Sequence, residues 1–217
     1  MSQESVLDRL AQIGLVPVIT IEQVERAVPL ADALLAGGLP VAEITFRTAA
    51  AEEVIRVLAR ERPQLLVGAG TVLTSANLEA AKASGAAFGV APGVNAQIVN
   101  QARQMGMPFI PGIATPSEIE MGMSLGCKLL KFFPAEVLGG AAMIDALAAP
   151  YKHTGIRFMP SGGVTTGNLE TYLKLESVSA VGGTWLARPE DLAAGNWSDI
   201  QARCKAAMEI VARARRR

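Results

Sequence analysis

"LLVGAGTVLTSANLEAAKASGAAFGVAPGVNAQIVNQARQMG" (residues 65–106) holds two copies of one structural unit. "LLVGAGT" (65–71) reads as a strand and "SANLEAAKASG" (75–85) as a helix. "AFGVAP" (87–92) and "NAQIVNQARQMG" (95–106) repeat the pair. Each helix opens on Ser or Asn and closes on Gly, which is what cap chemistry prefers.

The same unit continues in both directions. Upstream lie "LVPVIT" (15–20) with the helical run 21–38, and "VAEITF" (41–46) with the run 49–63. Downstream come "MPFIPGI" (107–113), "KLLKFFP" (128–134), "IRFMPS" (156–161) and "VSAVGGT" (178–184). Each is followed by a helical run, the last starting near Trp197. Strands alternating with helices imply a parallel sheet with right-handed crossovers. Eight such units in 217 residues suit a compact (β/α)8 TIM barrel, an α/β fold. Residues 2–13 are expected to form an additional N-terminal helix under the barrel. No linker or low-complexity stretch breaks the pattern, so one domain over 1–217 is expected. The rival fold, an open doubly wound sheet, usually carries a Gly-rich fingerprint after its first strand. "VITIEQVE" (18–25) has none.

Composition narrows the function. Twenty basic and 20 acidic side chains balance, which points to neither a nucleic-acid nor a membrane partner. Half the residues are hydrophobic, enough for a sizeable core. Two distant cysteines, Cys127 and Cys204, suggest a reducing cytoplasm rather than a disulfide scaffold. No signal peptide or membrane helix is visible. With one histidine, His153, a polyhistidine zinc site is excluded, and a magnesium site would have to rest on carboxylates alone. His153 itself reads as a surface or cap residue. The basic run "RARRR" (213–217) reads as a solvated helix terminus, where cations suit the dipole.

Chemistry in such a barrel belongs at the C-terminal ends of the strands. Side chains alternate along a strand, so Glu43, Thr45 and Arg47 share one face of "VAEITFRT" (41–48). Ala42, Ile44 and Phe46 share the other. The polar row is expected inside the barrel, where an unpaired charge is costly. Its plainer reading is a structural Glu–Arg pair. In "KLLKFFP", Lys131 shares a face with Leu129 and Phe133 and points inward. Burial disfavours the ammonium form, and a neutral amine attacks carbonyls to give Schiff bases. Its plainer reading is a lysine merely paired with an acid. The glycines of "GAGT" (68–71) allow close backbone approach, and Thr71 offers a hydroxyl. Gly162–Gly163 and Gly182–Gly183 end the last two strands and bare their N–H groups. With Ser161, Thr184 and the helix opening at "TTGN" (165–168), they suggest a phosphate site, against ordinary glycine turns.

In sequence, "VAEITFRT", "GAGTVL", "APG", "PGIATPSE", "LKFFPAE", "PSGGV" and "GGTWL" resemble the 2-keto-3-deoxy-6-phosphogluconate (KDPG) and 4-hydroxy-2-oxoglutarate (KHG) aldolases. The likeness runs in order over nearly the whole chain. It implies a (β/α)8 barrel, a homotrimer, and a class I, cofactor-free lyase acting on phosphorylated keto acids and pyruvate. It makes Lys131 the Schiff-base residue and Glu43 the proton-transfer residue. Arg47 and Thr71 would hold the substrate carboxylate, with Pro92 and Phe133 lining the site. Ser161, Gly162, Gly163, Gly182, Gly183 and Thr184 would hold phosphate. Other readings are an aldolase for the phosphogalactonate analogue, another phosphate-binding barrel enzyme such as a phosphosugar isomerase or thiamine-phosphate synthase, and a sensing module on a dead barrel.

Overall fold

A computed structural model describes residues 3–215; Ser2 of the expected first helix and the last two arginines lie outside the described residues. The strands are β1 (Leu15–Ile19), β2 (Val41–Thr45), β3 (Leu66–Gly70), β4 (Phe88–Val90), β5 (Phe109–Ile110), β6 (Gly112–Ile113), β7 (Leu129–Phe132), β8 (Arg157–Pro160) and β9 (Val181–Gly183). All pairings are parallel, in a six-stranded sheet β5-β4-β3-β2-β1-β9 and a three-stranded sheet β6-β7-β8. Single bridges Phe158↔Val178 and Ser161↔Gly182 join the segments of β8 and β9.

Each of the eight expected strands forms, but "MPFIPGI" forms two short ones, β5 and β6. Pro111 stands between them and has no N–H to give to a ladder. There the chain passes from the larger sheet to the smaller.

Helices α1 (Gln3–Ile13), α2 (Ala27–Ala36), α3 (Ala51–Glu61), α4 (Ser75–Ala83), α5 (Ala96–Gln104), α6 (Pro116–Ser124), α7 (Gly140–Ala148), α8 (Leu169–Leu173), α9 (Pro189–Ala194) and α10 (Trp197–Ala214) follow in chain order. Short α9 is absent from the sequence reading, because six residues hold too few turns to show a period. α3 shows how a helix finds its face. Ala51, Val54, Ile55 and Leu58 are buried at i, i+3, i+4, i+7 spacing. Arg56 pairs with Glu52 and Glu53 on the outer side. Asn95 caps α5 where a polar opener was read, whereas α4 is capped by Thr74, one residue before the expected Ser75, and α6 by Thr115; each side chain accepts from a first-turn N–H.

One apolar cluster includes side chains of both sheets and of the helices around them. Fully burying one such Leu, Ile or Phe is worth about 1.5–3 kcal/mol. α1 joins this cluster through Val6, Leu10 and Ile13. Its Leu7 borders a hollow with Met107, Phe109, Cys127 and Lys128, the residues that lead into β5 and β7. α1 therefore sits at the N-terminal ends of these strands. Burial pushes the two thiols up, Cys127 to about 11 and Cys204 to about 12, so both stay protonated and unreactive.

Of the two described arginines in the basic run, Arg213 stays exposed as expected and Arg215 departs from expectation. Arg213 pairs with Glu170 at 2.7 Å. Arg215 does not remain solvated: its guanidinium donates to the carbonyls of Ala11, Gln12 and Ser179. Those first two carbonyls end α1. The cation thus serves a helix C-terminus, but that of the first helix rather than its own.

Candidate active site

Among the described residues three charged side chains are buried: Glu43, Lys131 and Asp191. Asp191 is satisfied by Arg203 and Asn196, the pattern of a structural ion pair. Glu43 is different. It is fully buried, and neither carboxylate oxygen has a hydrogen-bond partner. Buried polar atoms are almost always bonded, so such an exception calls for an explanation.

The third residue of β7 supplies the neighbour. Lys131 is 6% exposed, and its Nζ lies 3.6 Å from Glu43 Oε1. That is ion-pair range but beyond an ordinary hydrogen bond. Register explains the meeting. Lys131 stands opposite Gly112 and Met159, and Glu43 opposite Val18 and Gly68. The two residues belong to different sheets, and their side chains meet in the space between. Glycine makes that space: a Cβ on Gly70 would collide with the Glu43 carboxylate. The "GAGT" glycines therefore admit protein groups, since Gly68 likewise leaves room for the Phe88 ring. Sequence reasoning saw the permissive backbone but not its occupants.

Phe133 follows directly after β7. It is 37% exposed, and its ring centroid lies 5.4 Å from Lys131 Nζ. It caps the amine at the solvent boundary rather than lying buried beside it.

Arg47 is where the inward-face expectation needs correcting. β2 ends at Thr45, and Arg47 is an exposed residue of the following turn. It makes no pair with Glu43, so the structural Glu–Arg reading is not what forms. Instead its Nε donates to Thr45 Oγ1 at 3.1 Å. Thr45 is buried, donates to the Ile19 carbonyl and lies 3.1 Å from Thr20 Oγ1. Thr45, already part of the polar row read in the sequence, and Thr20, which that reading missed, thus tie Arg47 to β1. Thr71, directly after β3, has φ +56°. A β-branched residue in the left-handed region is strained by about 1–3 kcal/mol, and such strain clusters at functional sites.

Pro92, after β4, is exposed, and its carbonyl packs where any side chain on Gly112 would stand. Ser161 is buried, with its side chain against Gly182; Thr184 is exposed. Gly183 leaves room for the Trp185 ring. Gly162 and Gly163 have φ of +96° and +79°, which side chains resist. Among the described residues, the N–H groups of Gly162, Gly163, Val164 and Thr184 find no acceptor. The helix expected to help at "TTGN" does not. α8 has only five residues, and the amides of Thr165 and Gly167 already donate to side chains within the turn. His153 is exposed in a 3-10 turn. Among the described residues, no cluster of three His, Cys, Asp or Glu could hold a metal ion, and no helix is long and apolar enough to cross a membrane.

A parallel α/β scaffold that buries an amine against an unbonded carboxylate defines an enzyme of the lysine-using, carbonyl-handling class. The chain belongs to the KDPG and KHG aldolase family, whose model matches residues 6–203. It is 44% identical over 207 residues to a 2-dehydro-3-deoxy-phosphogluconate aldolase of Treponema pallidum, covering 95% of this chain and 98% of that one. It is 43% identical over 194 residues to a KHG/KDPG aldolase of Escherichia coli K12, covering 89% and 90%. Among solved structures, a KDPG aldolase from Legionella pneumophila, with pyruvate captured at low pH as a covalent carbinolamine intermediate, superposes with a TM-score of 0.89. That match has 37% identity and covers 95% of this chain and 98% of the other.

Proposed function

We propose that this protein is a metal-independent class I aldolase that reversibly cleaves 2-keto-3-deoxy-6-phosphogluconate to pyruvate and glyceraldehyde 3-phosphate. It would also cleave 4-hydroxy-2-oxoglutarate to pyruvate and glyoxylate. The observation that carries this reading is the Lys131–Glu43 pair, a buried amine 3.6 Å from a carboxylate with no other partner.

Lys131 Nζ attacks the C2 ketone, and the carbinolamine loses water to an iminium. The iminium is the electron sink. Glu43 accepts the C4 hydroxyl proton as the C3–C4 bond breaks, with the bonding pair passing into the enamine. The aldehyde leaves. Glu43 returns its proton to C3 of the enamine, and water hydrolyses the iminium to pyruvate and free Lys131. Arg47, aimed by Thr45, and Thr71 hold the carboxylate and so decide which carbonyl meets the lysine. Pro92 and Phe133 line the entrance. The unbonded amides around Gly162, Gly163 and Thr184, beside Ser161, Gly182 and Gly183, take the phosphate.

The same reading makes the two sheets arcs of one (β/α)8 barrel and residues 1–217 one domain, α1 being its additional N-terminal helix. It also makes the protein a cytoplasmic homotrimer, for which the exposed apolar side chains Leu73, Met121 and Val137 offer contact surface. Incubation with pyruvate and borohydride, followed by peptide mass spectrometry, is the test. A reduced pyruvyl adduct on the Lys131 peptide is expected. An unmodified Lys131, or an adduct on another lysine, ends the assignment.

A further inference from the structure

The three carbonyls around the paired glycines are all held from outside. Ser161 O accepts from the Ala135 N–H at 2.8 Å, and Gly162 O from the Glu136 N–H at 3.1 Å. Gly163 O accepts from Asn168 Nδ2 at 3.3 Å. The Asn168 side chain has a defined orientation, because its Oδ1 accepts the Thr165 N–H at 2.7 Å. Its NH2 group is left facing Gly163.

A trans peptide is planar, with its N–H opposed to its C=O. Holding a carbonyl therefore fixes the N–H of the next residue. The three held carbonyls fix the N–H groups of Gly162, Gly163 and Val164, and these are amides without acceptors. The brace has its own support. The Tyr172 hydroxyl, on buried Tyr172 of α8, donates to Glu136 Oε1. Burial first, then the Glu136 carboxylate, raises the Tyr172 pKa, so it remains a donor. Gly163 packs so closely on Glu136 that a Cβ there would strike its side chain.

We infer that Asn168 and Tyr172 are positioning residues: with the Ala135–Glu136 main chain they lock three consecutive peptide planes, so that the amides of 162–164 converge on the substrate phosphate. This rests on the phosphate role proposed above for the Gly162–Gly163 turn. Neither side chain needs to touch substrate. Their effect should appear only when the substrate carries a phosphate.

Steady-state kinetics of full-length wild type, Asn168→Asp and Tyr172→Phe, with KDPG and with unphosphorylated 4-hydroxy-2-oxoglutarate, test this. Asn168→Asp keeps the acceptor for Thr165 but sets a carboxylate against the Gly163 carbonyl. Tyr172→Phe keeps the ring and removes the donor. The expected result is a KM for KDPG raised about tenfold in Asn168→Asp, the size of one lost hydrogen bond to a charged group. A smaller rise in the same direction is expected in Tyr172→Phe. Both variants should turn over the unphosphorylated substrate as wild type does. An unchanged KM for KDPG in both variants, or equal losses on the two substrates in Tyr172→Phe, overturns the inference while the phosphate reading stands. A wild-type enzyme that does not favour the phosphorylated substrate overturns both.

Discussion

Lys131 Nζ and Glu43 Oε1 lie 3.6 Å apart, brought together by strands of two different sheets. The relationship is asymmetric in a useful way. The lysine retains slight access to solvent, whereas the carboxylate is fully buried and has no hydrogen-bond donor of its own. Substrate can thus reach the amine, and a substrate hydroxyl can supply the donor that the carboxylate lacks.

Lys131→Arg separates nucleophile from charge. The guanidinium places a fixed positive charge beside Glu43 and does not deprotonate in proteins. Turnover and borohydride trapping of pyruvate should both disappear, with the fold retained by circular dichroism. Residual trapping in the variant would show that another amine does the chemistry.

Glu43→Gln tests the other half of the pair. The amide keeps the shape of the carboxylate but cannot accept the C3 proton or the proton of the C4 hydroxyl. Pyruvate should still be trapped on Lys131. Exchange of the pyruvate methyl protons in D2O, followed by NMR, should slow by about 10²–10⁴-fold, the usual contribution of a general base. Exchange at the wild-type rate would remove Glu43 from its role.

Much of this was legible in the sequence, for identifiable reasons. Strand and helix periods gave the eight units, and alternation along "VAEITF" and "KLLKFF" put Glu43 and Lys131 inside before any contact was known. What was not legible depends on where a chain segment ends or on what lies across from it. Arg47 falls beyond the last paired residue of β2, so alternation ceases to govern it. Pro111 splits a strand because it lacks an N–H, a consequence visible only once the pairing partners are known. Two of the three partners of Arg215 lie far away in sequence, Ala11 by 204 positions and Gln12 by 203. The occupants of the space beside Gly70 come from another strand.

Gly70→Ala follows from that last point. The new methyl would stand where the Glu43 carboxylate is. The carboxylate is the movable partner, so it should swing from Lys131 rather than split the sheet. Activity should therefore fall more than stability, with an overpacking cost of about 1–3 kcal/mol in chemical denaturation. The check is proton exchange at the pyruvate methyl, expected to be as impaired as in Glu43→Gln. Wild-type exchange in Gly70→Ala would mean that Glu43 has room the structure does not show.

Glu118 gives a pH dependence. Burial raises its pKa, but donors from the backbone of Ala114 and Thr115 and from the Thr115 hydroxyl outweigh that and hold it below 4.5. Its folded value is thus lower than its unfolded one. The stabilisation is complete above about the unfolded value of 4.5 and is lost as pH falls through the folded value. Glu118→Ala should cost about 1 kcal/mol at pH 7, the usual worth of a cap. The difference from wild type should shrink on acidification below pH 4.5. A constant difference in urea melts across that range would show that the carboxylate charge is not what stabilises the start of α6.

Arg215→Ala tests whether the basic terminus is solvated or structural. The guanidinium ties α10 to the carbonyl end of α1 and to Ser179, the residue before the approach to β9. Burial lowers its pKa somewhat, but an arginine remains charged. A charged donor shared among three main-chain carbonyls is worth about 1.5–3 kcal/mol. The variant should lose that much stability in chemical denaturation, and kcat and KM should not change, since α1 lies at the strand ends away from Lys131. Arg213→Ala is the control, because its exposed pair with Glu170 should contribute no more than about 1 kcal/mol. Equal effects of the two substitutions would return the terminus to the solvated tail that composition alone suggested.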